Sequence, residues 1–191
     1  MKISKEIYYH ANSGYEVNIG DILIFNGDKY NKMYEGIYNS EFKLNGLDAN
    51  ELLINKKKNI DYSLSPEELE MVINTVNNDA YVLRELALEE IRKTKYPSYP
   101  SRLNALYVTK NKEDAFTWSS ILKRNKKVCK QILTLELTGE LFVGDGNIIK
   151  RQNISFQKQL DNADIYWSGK TSENPEYLFY GEARVVDIEN I

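Results

Sequence analysis

Apolar and polar positions alternate with a period of two over several short stretches, and a block of helical period separates the early stretches from the late ones. Residues 5–10 (KEIYYH) are rich in strand formers, and 20–25 (GDILIF) read as a second short strand. The segment 26–47 is rich in Gly, Asn and Tyr and reads as a long loop, of the length expected for a lid or a binding segment. Ser65-Pro66-Glu67-Glu68 is a helix start, with Leu69, Val72, Ile73 and Val76 as an inward stripe. Asp79 is placed to cap a second helix through Lys93, with Leu83, Leu86, Ala87 and Ile91 inward, and Pro97 and Pro100 close the block.

From residue 102 the period returns to two, with Leu103, Ala105 and Tyr107 on one face and Leu106 and Val108 on the other. A helix starting at Asn111–Asp114 sets Ala115, Trp118, Ile121 and Leu122 on one side. A strand is expected over 128–138, ending near Gly139, then short mixed elements over 140–175 around Tyr166-Trp167. The last strand spans 176–188 with a bulge at Gly181. Strands at both ends with helices between them predict an α+β fold, organised as one domain over 1–191 with a helical insertion at about 48–96.

Composition narrows the chemistry. With 42% hydrophobic and 28% charged residues the chain can bury a core and is not of the disordered class. A net charge of −3 gives no bulk attraction to nucleic acid. The basic runs Lys56–Lys58 and Lys123–Lys127 read as solvated loops or helix ends. One cysteine, Cys129, excludes an internal disulfide and favours a reducing compartment, and its surroundings suggest a small buried apolar residue. One cysteine and one histidine do not make the usual zinc sets, so no metal is expected. The opening residues lack the apolar core of a signal peptide, and no stretch approaches a membrane span. A cytoplasmic protein without a membrane partner is therefore expected.

Three segments set polar or aromatic side chains near strand ends, where clefts form. They are Tyr8-Tyr9-His10-Ala11-Asn12-Ser13, Leu106-Tyr107-Val108-Thr109 running into Asp114–Trp118, and Pro175-Glu176-Tyr177-Leu178-Phe179-Tyr180-Gly181. This order resembles the His-Tyr-Glu class of ADP-ribosyltransferases. Glu176–Tyr180 looks like the corresponding strand of poly-ADP-ribose polymerases. Tyr9–Asn12, with Gly20-Asp21 ten residues after His10, and Leu106–Thr109 followed by Ala115 look like the rifampin ADP-ribosyltransferases. The whole chain most resembles a bacterial family grouped with that fold, through Pro100-Ser101-Arg102, Tyr166-Trp167 and the Glu-Tyr-Leu-Phe-x-Gly stretch.

The resemblance implies a split β-sheet core, antiparallel or mixed, that binds NAD⁺ as substrate and transfers ADP-ribose to a protein, nucleic acid or small molecule. In that reading Tyr107 stacks on nicotinamide, Phe116 or Trp118 closes the other side, and His10 bonds ribose hydroxyls. The backbone after His10, at Ala11, meets the amide with help from Ser13, and Glu176 stabilises the ribosyl cation. Asp145, after Thr138-Gly139, is a rival carboxylate. Ala11 stands where that family has Gly, and the span from His10 to Tyr107 is longer than in its compact members, either of which suits binding without transfer.

Taken one by one, the residues have structural readings. A histidine at a strand end is commonly a hydrogen-bonded structural one, an alternating Tyr is commonly core, and a carboxylate at a strand start is commonly solvated. Arg102 suits a structural salt bridge better than a phosphate site, Gly144-Asp145-Gly146 reads as a turn, and Tyr166-Trp167 as core. A binding module without catalysis is the competing function. Transfer of an RNA 2′-phosphate to NAD⁺ would want clustered arginines, which the sequence scatters.

Overall fold

The computed structural model describes residues 1–28, 31–124, 127–150, 152–170 and 173–191. In chain order the elements are β1 (Lys2–Asn12), β2 (Ile22–Phe25), α1 (Lys32–Tyr38), β3 (Lys43–Leu44), β4 (Leu47–Asp48), α2 (Ala49–Lys58), α3 (Pro66–Lys95), β5 (Leu106–Val108), α4 (Lys112–Arg124), β6 (Gln131–Asp145), α5 (Phe156–Trp167) and β7 (Pro175–Asn190). The fold is α+β, and every strand pairing among the described residues is antiparallel.

β6 and β7 run beside each other from Gln131 opposite Asn190 to Asp145 opposite Pro175. The far edge of β6 carries β1, while the far edge of β7 carries β5 and then β2, end to end. Thr109, just past β5, bridges back to Tyr9 of β1 through two backbone hydrogen bonds of 2.9 and 2.8 Å. The sheet thus curls until β1 and β5 touch at one point.

Because strand side chains alternate, the long strands feed two cores. Leu133, Leu135, Leu137 and Leu141 point inward with Tyr8, Leu106, Val108, Phe179, Ala183 and Val185. Phe142 and Leu178 point outward with Ala105, under Leu88 of α3 and Ala163, Tyr166 and Trp167 of α5. Each of these fully buried large apolar side chains contributes roughly 1.5–3 kcal/mol. A smaller cluster of Ala11, Ala115, Cys129 and Ile132 sits under α4 and holds Cys129 as a buried apolar residue.

Several expectations change. Gly139 lies in the middle of β6, not at its end, because it faces Gly181 across the ladder at a point where neither strand has room for a side chain. A Cβ on Gly139 would overlap the Tyr180 carbonyl, and one on Gly181 would overlap the Thr138 carbonyl. Gly181 has φ +141°, and the ladder passes it in register. The bulge falls at Val186, between the pairs Thr134–Asp187 and Leu135–Val185.

α3 is one helix of 30 residues rather than two. The Ser65 capping box starts it as expected, but nothing stops it at Asp79, since no Gly or Pro interrupts residues 67–95. Its inward side carries Met71, Glu85, Ala87 and Leu88, whereas Leu69, Ile73, Val76, Leu83 and Leu86 are exposed. The expected loop 26–47 contains α1 and β3, with Lys29 and Tyr30 outside the described residues, and Tyr34 is fully buried. On α4, Ala115 and Ser119 face in while Trp118 faces out at 47% exposure. The mixed stretch 140–175 resolves into the end of β6 and α5, which Ser155 caps. Lys56–Lys58 close α2, and Lys123 and Arg124 close α4, while Asn125 and Lys126 lie outside the described residues. No described helix is long and apolar enough to cross a membrane.

The glycine pair makes a sharp prediction. Gly181→Val should cost more than about 3 kcal/mol, since steric overlap and an unfavourable φ add. Gly36→Ala, in the open on α1, should stabilise by about 0.5–1 kcal/mol. Thermal or denaturant unfolding of the two variants checks both.

Candidate functional site

The fold brings Tyr107 and Glu176 to one neighbourhood because both belong to strands paired with one another. Tyr107 opposes Leu178 of β7, and Glu176 lies two residues earlier on the same face. Opposite Glu176 on β6 stands Gly144, where a Cβ would strike the Tyr166 ring. Glycine there lets the ring lie against the strand and bring its hydroxyl within 2.6 Å of the Glu176 carboxylate.

Between them sits Arg102, only 4% exposed. Its guanidinium donates through Nε to Glu85 Oε2 at 2.9 Å, and through one terminal nitrogen to Tyr166 Oη at 3.1 Å and to Glu176 Oε1. Glu85, 1% exposed on α3, also accepts from Arg84 Nε at 2.8 Å. Arg84 in turn donates to the Ile149 carbonyl at 2.8 Å and lies over the Tyr81 ring. Two guanidinium groups thus face two carboxylates, and the buried charges balance. Burial alone would push the Glu85 carboxyl up, but Arg102 and Arg84 outweigh it and hold it below its usual range. Burial likewise opposes charge on Arg102, and Glu85 with the surrounding hydroxyls raises it well above its usual value.

The same carboxylate reaches the other side of the site. Tyr34 Oη donates to Glu85 Oε2 at 3.1 Å and lies 2.8 Å from Tyr107 Oη. An ionised carboxylate only accepts, so the single Tyr34 hydroxyl hydrogen goes to Glu85, and Tyr107 is the donor to Tyr34. Tyr107 shares that hydrogen with the Arg102 carbonyl at 3.1 Å. Burial, the largest influence, together with Glu85, pushes the Tyr107 phenol up to about 12 against the opposite pull of Arg102, so it stays protonated.

His10 arrives differently. β1 and β5 part beyond the Tyr9–Thr109 bridge, and His10 Nδ1 fills the gap by meeting the Tyr107 carbonyl at 2.8 Å. A carbonyl cannot donate, so Nδ1 carries the hydrogen and Nε2 is left as an acceptor. Burial lowers the imidazole from its ordinary 6.5, against the smaller pull of that carbonyl, which favours the neutral ring. His10 shares its face of β1 with Tyr8 and opposes Leu133, both in the inner cluster, whereas the Tyr107 ring packs against the outer one. The imidazole therefore touches Tyr107 through its main chain, and Glu176 joins Tyr107 through Arg102 and Glu85. All three side chains keep partial exposure.

The other expected contacts lie elsewhere. Phe116 packs with Tyr9, Ala11 and Leu122 beneath α4, in a different cluster from the Tyr107 ring, and Trp118 is exposed. Ala11 is buried in that same cluster, and Ser13 is exposed beyond the end of β1. Asp145 ends β6 and its carboxylate accepts from Asn147 N at 2.8 Å; the turn expected at Gly144–Gly146 begins only at Gly146, because Gly144 and Asp145 still pair with Glu176 and Pro175. Two open clefts of about 430 and 440 Å³ lie away from the three residues. One is bounded by Glu89, Arg92, Tyr99 and Tyr180, and the other by Phe42, Asp48 and Asp79.

Sequence reading missed Tyr34, Arg84 and Glu85. Tyr34 fell in an expected loop, and Glu85 on a helical face resembles any solvated glutamate. The one available signal was its place among Leu83, Leu86, Ala87 and Leu88.

Two predictions follow from the buried charges. Arg102→Met leaves Glu85 short of its main counter-charge and should cost about 3–5 kcal/mol, whereas Glu176→Gln, which leaves the Arg102–Glu85 pair intact, should cost about 1 kcal/mol. Denaturant unfolding at neutral pH measures both. The neutral His10 ring is the folded form, so its contribution to stability is complete above the ordinary value of 6.5 and is lost as pH falls through the lowered value. His10→Gln should remove that acid-side loss in unfolding curves taken from about pH 8 to 4.

No curated protein matches the chain. Residues 8–191 match the family described as protein of unknown function DUF2441, nearly the whole length, and the chain belongs to that family.

Proposed function

We propose that this protein is an NAD⁺-dependent mono-ADP-ribosyltransferase, built on an ADP-ribosyltransferase-like split sheet. The observation that carries the reading is the parting of β1 and β5 at His10 and Tyr107, beside β7, whose second residue is Glu176. There the two strands no longer pair, and the reading has a flat pyridinium and its ribose enter beside His10 Nε2 and the Tyr107 ring.

In this reading the nicotinamide stacks on the partly buried Tyr107 ring, which the bond to Tyr34 holds in place. His10 Nε2, an acceptor in the neutral tautomer, takes a hydrogen bond from a ribose hydroxyl. The bond between C1′ of the ribose and the nicotinamide nitrogen breaks, and its electron pair leaves with neutral nicotinamide. Glu176, ionised beside Arg102, stabilises the cation left on the sugar. An acceptor nucleophile then bonds C1′ and loses its proton to solvent or carboxylate. The acceptor is a protein, nucleic acid or small molecule.

The second reading is a non-catalytic nucleotide- or protein-binding module. What favours it is that Glu176 Oε1 is already held by Arg102 and Tyr166.

Incubation with cell extract and NAD⁺ labelled in the adenylate separates the two. The transferase reading expects free nicotinamide and labelled product, with Glu176→Gln slowing release about 10²–10³-fold while still binding NAD⁺. Binding without release, equal in both proteins, favours the second reading. Neither binding nor release contradicts the NAD⁺ site.

A further inference from the structure

The helical insertion is more than a cover over the sheet, because one of its side chains reaches both strands of the candidate site. Glu85 is the fully buried carboxylate in the middle of α3, and one of its oxygens, Oε2, serves two separate arms. Oε2 accepts from Tyr34 Oη, which in turn receives the Tyr107 hydroxyl at 2.8 Å. The same oxygen accepts from Arg102 Nε, whose terminal nitrogen holds Glu176. Oε1 is taken by Arg84, which anchors the carboxylate to the loop after β6 through the Ile149 carbonyl.

We infer that Glu85 is a positioning residue that sets the Tyr107 ring and the Glu176 carboxylate relative to one another, so that α1 and α3 form the back wall of the site. Tyr34 carries the setting to Tyr107, and Arg102 carries it to Glu176. The catalytic meaning rests on the transferase reading above, but the coupling between the two side chains does not.

Carbon-13 spectra of the full chain, labelled at tyrosine Cζ and glutamate Cδ, test the coupling directly. Tyr107→Phe and Glu176→Gln assign the two resonances. Glu85→Gln should move both, because the hydroxyl that holds Tyr107 and the guanidinium that holds Glu176 lose the carboxylate they share. Glu176 Oε1 itself accepts from Arg102, of the loop before β5, and from Tyr166 of α5. Tyr34→Phe should move the Tyr107 resonance and leave that of Glu176 in place. A folded Glu85→Gln protein with either resonance unmoved overturns the inference. Should that variant not fold, Tyr34→Phe decides alone, and an unmoved Tyr107 resonance overturns it. If the wild type releases no nicotinamide while these shifts occur, the transferase reading fails and the positioning role stands.

Discussion

Arg102 carries a permanent positive charge into a space closed to water, and a guanidinium there is tolerable only with anions and hydroxyls on every side. Glu85, Glu176, Tyr166 and the ring face of Tyr107 surround it, and they come from the long helix α3, the last strand, the helix before that strand, and the short strand β5. Satisfying one side chain therefore fixes how four distant parts of the chain meet. Removing Arg102 or Glu85 leaves the other's charge buried without its main complement, which costs far more than losing an exposed ion pair of the same geometry.

This constraint links fold to chemistry. Pairing of β5 with β7 brings Tyr107 and Glu176 to one face, and the charge network under α3 holds them there. His10 enters from the opposite edge, where β1 leaves β5. Under the transferase reading, the ring that receives nicotinamide and the carboxylate that answers the ribosyl cation are both oriented before any ligand arrives. Preorganised groups of this kind lower a barrier because they need no rearrangement as charge develops.

Much of the frame was legible in the sequence. Alternation placed Leu106 and Val108 on one face and Ala105 and Tyr107 on the other, and the cores divide them in the same way. The Ser65 capping signal was local, so it could be read locally. The inward side of α3 was legible only in part: Val72, Ala87 and Ile91 pack inward as read, but Leu69, Ile73, Val76, Leu83 and Leu86 face out and a glutamate faces in. Only arginines brought up by the fold make that favourable, and Arg102 lies 17 residues further on. α5 was obscured because its first buried position is a glutamine, Gln159, and Asp161-Asn162 separate it from the next, although Ser155 and the spacing of Ala163 and Trp167 were a usable signal. Gly181 showed that something unusual happens in β7, but the choice between a bulge and a close crossing depended on the glycine it faces, 42 residues away at Gly139 (181 − 139). At the site, His10, Tyr107 and Glu176 could be named by their order. The hydrogen bonds joining two of them run through Tyr34 and Glu85, which carry no mark of their own.

His10 is the only histidine in the chain, so its imidazole gives one assignable set of signals in a long-range nitrogen-15 spectrum of the protein without a histidine tag. The account predicts a neutral ring with the hydrogen on Nδ1, and a shift of the Nε2 resonance when NAD⁺ is titrated in. A hydrogen on Nε2, or a ring unmoved at saturating NAD⁺, would contradict it.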